Sequence, residues 1–151
     1  MSSNQFNIVD VSNNFNKYIK KIFTIIGGSL IDNDGEYNLE YFRLVKNKAY
    51  TVMDELPLLF LENAGKLLYE HRDDIINKNI DGIFNLDVNK YENDVSNYEN
   101  DELSNMKEIT KLFNILKSVW YNYSPEEKNK IFKLLRFLLS EYSKFILIQT
   151  T

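Results

Sequence analysis

The chain has 151 residues, 44% of them hydrophobic and 26% charged, which is typical of one globular domain large enough to bury its own core. It contains no cysteine, and this excludes disulfides, thiolate zinc sites and cysteine nucleophiles. The net charge of −4 gives no long-range attraction for nucleic acid, whose recognition depends on basic groups that face phosphates.

Residues 1–11 are polar and aperiodic, and they predict a flexible tail ahead of a single helical domain over residues 12–148. The tail lacks the basic start and the apolar stretch of a signal peptide. The longest apolar runs, PLLFL and FILI, are far shorter than the roughly 20 residues that cross a bilayer. We therefore expect an intracellular protein that is neither secreted nor embedded in a membrane.

The first two helices are predicted from apolar residues spaced three and four apart. The first runs from Phe15 to Ile26, and Gly27 and Gly28 follow it. Since glycine readily adopts the left-handed conformation of a helix C-cap, we expect the helix to stop there. After a turn-rich stretch, SLIDNDGEYN, a second helix turns these residues inward: Leu39, Phe42, Val45, Ala49, Val52 and Met53.

Pro57 suits the first position of a third helix, which is predicted to run to about Asn77. The periodicity is then lost over residues of about 80–100, which are acidic and rich in Asn and Ser. Such a composition buries too little apolar surface to offset the entropy of ordering. We expect a mobile acidic loop here, in which the sequence YEND occurs twice and presents Tyr91 and Tyr98.

The sequence indicates the last two helices more clearly than the others. The apolar face of the fourth ends on Trp120, which should be substantially buried. The fifth begins at SPEE, where Ser124 can cap free backbone N–H groups, Pro125 takes the first position and Glu127 completes a capping box. No alternating strand of useful length competes, so the fold class is all-α: a compact bundle of about five helices.

Two stretches rich in Asn and Asp resemble calcium loops, LIDNDGEYNLEY and NKNIDGIFNLDV. Alignment of Gly35 or Gly82 with the EF-hand glycine puts Tyr41 or Val88 at the last position, where calcium needs a bidentate Glu. Ordinary capped turns account for both stretches, because Asn, Asp and Gly satisfy turn geometry for their own reasons. We expect no metal in either.

Catalytic motifs are missing from the sequence. The only histidine, His71, has Leu68 three residues before it, where a bundle metal site has Glu. The chain has no Walker loop, no GxGxxG and no GxSxG turn. We expect no enzyme activity, no catalytic residue, no cofactor and no small-molecule substrate. A hydrolase or metal enzyme that uses His71 and its neighbouring acids is a third possibility, and it would need a bound metal.

The exposed face of the last helix is the main candidate surface. It carries basic residues with an aromatic side chain among them, and Arg and aromatic residues are enriched at the centres of protein interfaces. The alternative is a solvated face with one stray Phe. The candidate partner-binding residues are Lys133, Arg136, Phe137 and Lys144 of this helix, with Tyr91 and Tyr98 of the acidic loop.

Two segments carry a resemblance to a known group: LPLLFLENAGKLLYEHRDDIINKNIDGIFNLD, and KSVWYNYSPEEKNKIFKLLRFLLSEYSKF with its Trp before a capped, aromatic-rich helix. Over most of residues 12–147 the chain resembles small, uncharacterised helical proteins of nucleocytoplasmic large DNA viruses. GIFNLD departs from the Phe-Phe-Leu-Asn turn of that group, and Phe132 stands where Trp is frequent. The resemblance implies a helical fold and transfers no activity. The resemblance agrees with the abundance of Asn, Lys, Ile and Tyr in the chain, since these residues have AT-rich codons.

The leading hypothesis is a non-enzymatic helical interaction or structural protein, a component of a large DNA virus located in the host cytoplasm or virion. It would bind a protein partner or associate with itself. The alternative is a nucleic-acid-associated accessory factor that uses Lys17, Lys20 and Lys21 together with the lysines of the last helix. A steep salt dependence of binding to DNA or RNA would favour that alternative.

Overall fold

The computed structural model describes residues 6–32, 36–85 and 100–150. Across these ranges the chain is helical and has no strand, which confirms the all-α class. A 3₁₀ turn, Trp120–Asn122, joins the last two helices. The α-helices are α1 (Ile8–Asp32), α2 (Glu36–Glu55), α3 (Pro57–Glu70), α4 (Arg72–Ile76), α5 (Ile80–Phe84), α6 (Asn100–Val119) and α7 (Pro125–Thr150).

Helix α1 begins earlier than the sequence predicted. Its first residue is Ile8, and Val11 is buried at 2% exposure, so residues 8–11 belong to the helical domain and the expected tail is too long. Asn7 explains this start, because its Oδ1 accepts a hydrogen bond from the backbone N–H of Val9 at 2.8 Å. That bond satisfies one of the free N–H groups at the helix N-terminus.

Helix α1 also continues through the two glycines that were expected to stop it, and that prediction is wrong. Neither glycine has a positive φ, so neither adopts the left-handed cap conformation. Leu30, beyond them, is buried at 2% exposure, and its burial favours continuing the helix. At Gly27 a Cβ would lie 3.0 Å from the Phe42 ring, so this glycine makes room for α2.

The middle of the chain is more helical than expected. Pro57 is the first residue of α3, as predicted, but the helix ends at Glu70 and α4 follows after His71. Helix α5 then lies within the predicted loop of about 80–100, and that part of the prediction is wrong. Its Ile83 and Phe84 are buried, so even this short segment contributes to the core.

The remaining part of the predicted loop, residues 86–99, lies outside the described residues, and Tyr91 and Tyr98 lie there as well. The expected mobility of this loop therefore stays a prediction. Helix α6 begins at Asn100, and its buried face includes Ile109, Phe113 and Leu116.

Helix α7 starts with the capping box that its sequence predicted. The backbone N–H of Glu127 donates to Ser124 Oγ at 3.2 Å, and the backbone N–H of Ser124 donates to Glu127 Oε1 at 3.0 Å. These reciprocal bonds satisfy two N–H groups that have no partner within the helix.

The Ser124→Ala substitution should therefore lower the free energy of unfolding by about 0.5–2 kcal/mol, the usual loss for a helix cap. Urea denaturation followed by circular dichroism measures the change. Ser118→Ala in the last turn of α6 is a control, because its hydroxyl donates back to the Ile115 carbonyl of its own helix and caps nothing. Equal denaturation midpoints for Ser124→Ala and the native chain would show that the cap does not contribute.

The most extensive helix–helix contact is between α1 and α7. The two helices run antiparallel, because Tyr18 packs on Phe137, whereas Phe6 lies near Lys144 at the other end. Helices α2, α3 and α6 complete the bundle around them. This arrangement places the first and last helices side by side, although they are far apart in the sequence.

Candidate partner-binding face

The exposed side of the α1–α7 pair contains a groove of about 440 Å³. Its floor includes the apolar side chains of Ile25 and Leu134, and lysines from both helices stand at its edges. Within an α-helix, residues seven apart lie on one face, and Lys130 and Phe137 of α7 have this spacing. The residues that line the groove are Lys21, Thr24, Ile25, Lys130, Lys133, Leu134 and Phe137.

An aromatic pair joins the two helices beside this groove. The ring centroids of Tyr18 and Phe137 are 5.2 Å apart and tilted by 39°, a favourable distance for aromatic side chains. Phe137 is 38% exposed, so one part of its ring packs on Tyr18 and another part meets solvent.

Lysines surround the aromatic pair. The ammonium of Lys17 lies 5.5 Å and that of Lys21 5.9 Å from the Tyr18 centroid, and Lys133 lies 5.7 Å from that of Phe137. These distances are within the range of cation–π attraction. Within the described ranges, no carboxylate forms an ion pair with these three lysines. We call Lys17, Tyr18, Lys21, Lys130, Lys133 and Phe137 the basic face.

Lys20, the remaining lysine of α1, interacts with other residues of the fold. Its ammonium lies 3.3 Å from Asp54 Oδ1 and 5.0 Å from the Tyr50 centroid. Tyr50 in turn donates a hydrogen bond to the Lys20 carbonyl at 3.4 Å, and burial raises the pKa of its hydroxyl above the usual value. Lys20 thus ties α1 to α2 and is not part of the basic face.

The structure separates the predicted residues of the last helix. Lys133 and Phe137 lie together in the basic face, but Lys144 does not, because its ammonium binds Glu141 Oε2 at 3.0 Å. Glu141 is 5% exposed, so the charge of Lys144 is balanced by a buried neighbour. Arg136 is exposed and does not line the groove.

Sequence reasoning missed Lys130, Thr24 and the outward role of Tyr18. Lys130 had a usable signal, since it lies three residues before Lys133 and seven before Phe137. Tyr18 fits the three-and-four spacing of the first helix, and it is partly buried against the core, but its ring also packs on Phe137 beside the groove. The pairing of α1 with α7 had no local signal, because it arises from the tertiary arrangement.

A second groove, of about 430 Å³, lies on the other side of α1, against α2. Its apolar lining includes Leu39 and Phe42, and Arg43 and Lys46 stand at its edge. Thr24 lines both grooves, so it marks the ridge of α1 that separates them. No Asp or Glu lines either groove in the described part of the chain.

His71 lies at the break between α3 and α4, away from these grooves. Its Nδ1 is 3.6 Å from Asp74 Oδ2, and its buried Nε2 has no hydrogen-bond partner among the residues that the structure describes. Asp74 also accepts a hydrogen bond from the Asn79 amide at 3.0 Å. Among the described residues no three His, Asp or Glu side chains meet in a group that could hold a metal ion.

No protein-family model matches the chain, and no curated protein or solved structure does either. Among the helices described, none is both long and apolar enough to cross a membrane.

Proposed function

We propose that the protein is a non-enzymatic helical interaction protein that binds an acidic partner protein through its basic face. The observation that carries the proposal is the Tyr18–Phe137 pair, held across two helices and surrounded by Lys17, Lys21 and Lys133, for which the described part of the chain supplies no ion-pair partner. Membership of a large DNA virus, and a location in the host cytoplasm or virion, stay predictions from the sequence.

Charge distribution supports an acidic partner. The protein as a whole has a net charge of −4, yet lysines without an ion-pair partner among the described residues lie together on one side of α1 and α7. Complementary charge speeds encounter and fixes the orientation of a complex, while an aromatic anchor supplies apolar area. Both contributions are available at the same place on this surface.

The nucleic-acid alternative gains one specific observation. The lysines of the first and last helices, which are distant in sequence, lie on one surface, as a phosphate-binding patch requires. The fold uses Lys20 and Lys144 internally, however, and the two ring faces pack on each other instead of standing free for bases. We therefore rank this alternative second.

Photo-cross-linking in the native source tests the proposal. A benzoylphenylalanine at position 137 should capture a protein, and the same group at position 121 should not, although Tyr121 is also an exposed aromatic residue. Adding Lys21→Glu and Lys133→Glu should remove the cross-link, because repulsion replaces attraction for an acidic partner. A nuclease-sensitive product at position 137 would favour the nucleic-acid alternative. Equal labelling at both positions would contradict the basic face as a binding site.

A further inference from the structure

We infer that the partner segment recognised by this protein is an acidic amphipathic α-helix that crosses α1 at Thr24 and inserts one apolar side chain into each of the two grooves. This inference rests on the proposed function, since the first groove belongs to the basic face. It adds the second groove, on the α2 side, and the geometry of the partner.

The two grooves have the same character. Each has an apolar floor, formed by Ile25 and Leu134 on the α7 side and by Leu39 and Phe42 on the α2 side. Burying an apolar side chain is favourable only where the surroundings are apolar, so each floor selects an aliphatic or aromatic anchor.

The edges of both grooves are cationic. Lys21, Lys130 and Lys133 line the first, and Arg43 and Lys46 line the second. Within the described chain none of these five side chains forms an ion pair. A segment with an anchor in each groove would therefore place its own flanking side chains beside positive charges, and carboxylates fit those positions.

The separation of the grooves sets the spacing of the anchors. Since both border Thr24, they are separated by the width of α1, which is roughly 10 Å for a helix with its side chains. Two residues seven apart in an α-helix lie on one face and about 10.5 Å apart along the axis. A partner helix with apolar residues at i and i+7 and acidic residues around them matches this surface. The helix-in-groove mode is a common form of peptide recognition.

A phosphate backbone or a lipid surface suits this surface less well. Either could use the positive edges, but a phosphate backbone offers no apolar side chain for the two floors, and two separate grooves are not needed by a continuous lipid surface. A second copy of this chain is a further possible occupant, and self-association would reveal it.

The test uses the full-length protein and a synthetic, helix-stabilised peptide of about 18 residues, rich in Glu and Ala, with leucines at i and i+7. Its isomer carries the leucines at i and i+9, on opposite faces, with the same composition and charge. Because only one leucine of the isomer can be buried, we expect it to bind about tenfold more weakly in a fluorescence-anisotropy titration.

Two variants separate the apolar contribution of the α2-side groove from the charge contribution of the basic face. Gly28→Leu fills the α2-side groove from a position where a Cβ would meet nothing within 4 Å, so the fold should tolerate it. It should weaken the i, i+7 peptide about tenfold and leave the isomer unchanged. Lys133→Glu should weaken the binding of both peptides. Lys117→Glu, the same charge change at an exposed position of α6, should affect neither by more than about twofold.

Each of the other outcomes of these titrations would refute a specific part of the proposal. Equal affinity for the two peptides, with loss of both in Lys133→Glu, would retain the basic face and refute the two-groove helix. Absence of peptide binding, with steeply salt-dependent binding to duplex DNA or to anionic vesicles, would refute both proposals. Absence of all binding, or dimerisation that Gly28→Leu abolishes, would refute the partner helix, and dimerisation would assign the surface to a second copy.

Discussion

Trp120→Ala should lower the free energy of unfolding by about 3–5 kcal/mol, the range for removing a large buried aromatic side chain. Trp120 is only 4% exposed. Its ring meets that of Phe84 at 5.8 Å and that of Phe132 at 5.7 Å, both nearly perpendicular, and Tyr123 lies 6.2 Å away. The substitution would leave a cavity where α5, α6 and α7 come together, so three helices would lose a common contact.

Urea denaturation followed by far-ultraviolet circular dichroism measures this loss, since the variant has no tryptophan fluorescence. The matched control is Tyr121→Ala, the next residue in the same 3₁₀ turn, which is 76% exposed. It should change stability by no more than about 0.5 kcal/mol. A Trp120→Ala chain as stable as the Tyr121→Ala chain would show that Trp120 does not hold these helices together.

Local sequence signals predicted much of this region. The burial of Trp120 follows from the apolar periodicity predicted for the fourth helix, although Trp120 itself begins the 3₁₀ turn after α6. The start of α7 follows from a capping box whose two bonds are both formed. Phe84 could not be assigned in the same way. It lies in a five-residue helix, α5, which is too short to establish a periodicity of its own and is ordered by the core it enters.

The candidate site likewise contains residues that were predictable from the local sequence and residues that were not. Lys133 and Phe137 share one helix face, so their proximity was predictable from spacing alone. Their neighbours Tyr18 and Lys21 come from a helix more than a hundred residues earlier, and only the packing of α1 against α7 brings them together. Lys144 had a local signal that sequence reasoning overlooked, because Glu141 lies three residues before it on the same helix and the two side chains form an ion pair.

The glycines show how tertiary contacts override local preference. Gly27 and Gly28 suggested a helix end, and α1 runs through both of them. Among the described glycines, Gly65, which carried no signal in the sequence, is the one where an added Cβ would lie closest to a neighbouring atom. It is buried in α3, and a Cβ added there would overlap the ring of Tyr142 on α7, with Cε1 at 2.8 Å. Close approach of α3 and α7 therefore requires glycine at this position.

Gly65→Ala should accordingly lower the free energy of unfolding by about 1–3 kcal/mol, the usual range for overpacking a well-filled core. This cost should outweigh the roughly 0.5–1 kcal/mol by which alanine is favoured over glycine inside a helix. The matched control is Gly28→Ala in α1, where no atom lies within 4 Å of the added Cβ. That variant should be more stable than the native chain by the helix preference alone.

Tyr142→Ala separates the ring contact from any other effect at Gly65. Tyr142 is partly buried and packs on Tyr69 at 5.5 Å and Phe145 at 5.8 Å, so its removal is destabilising by itself. In that background the Cβ of residue 65 no longer meets the ring, and Gly65→Ala should become neutral or stabilising, as Gly28→Ala is. A double-mutant cycle measured by urea denaturation gives the coupling. If Gly65→Ala costs the same with and without the Tyr142 ring, the ring is not what requires glycine, and the contact between α3 and α7 must be limited by another neighbour.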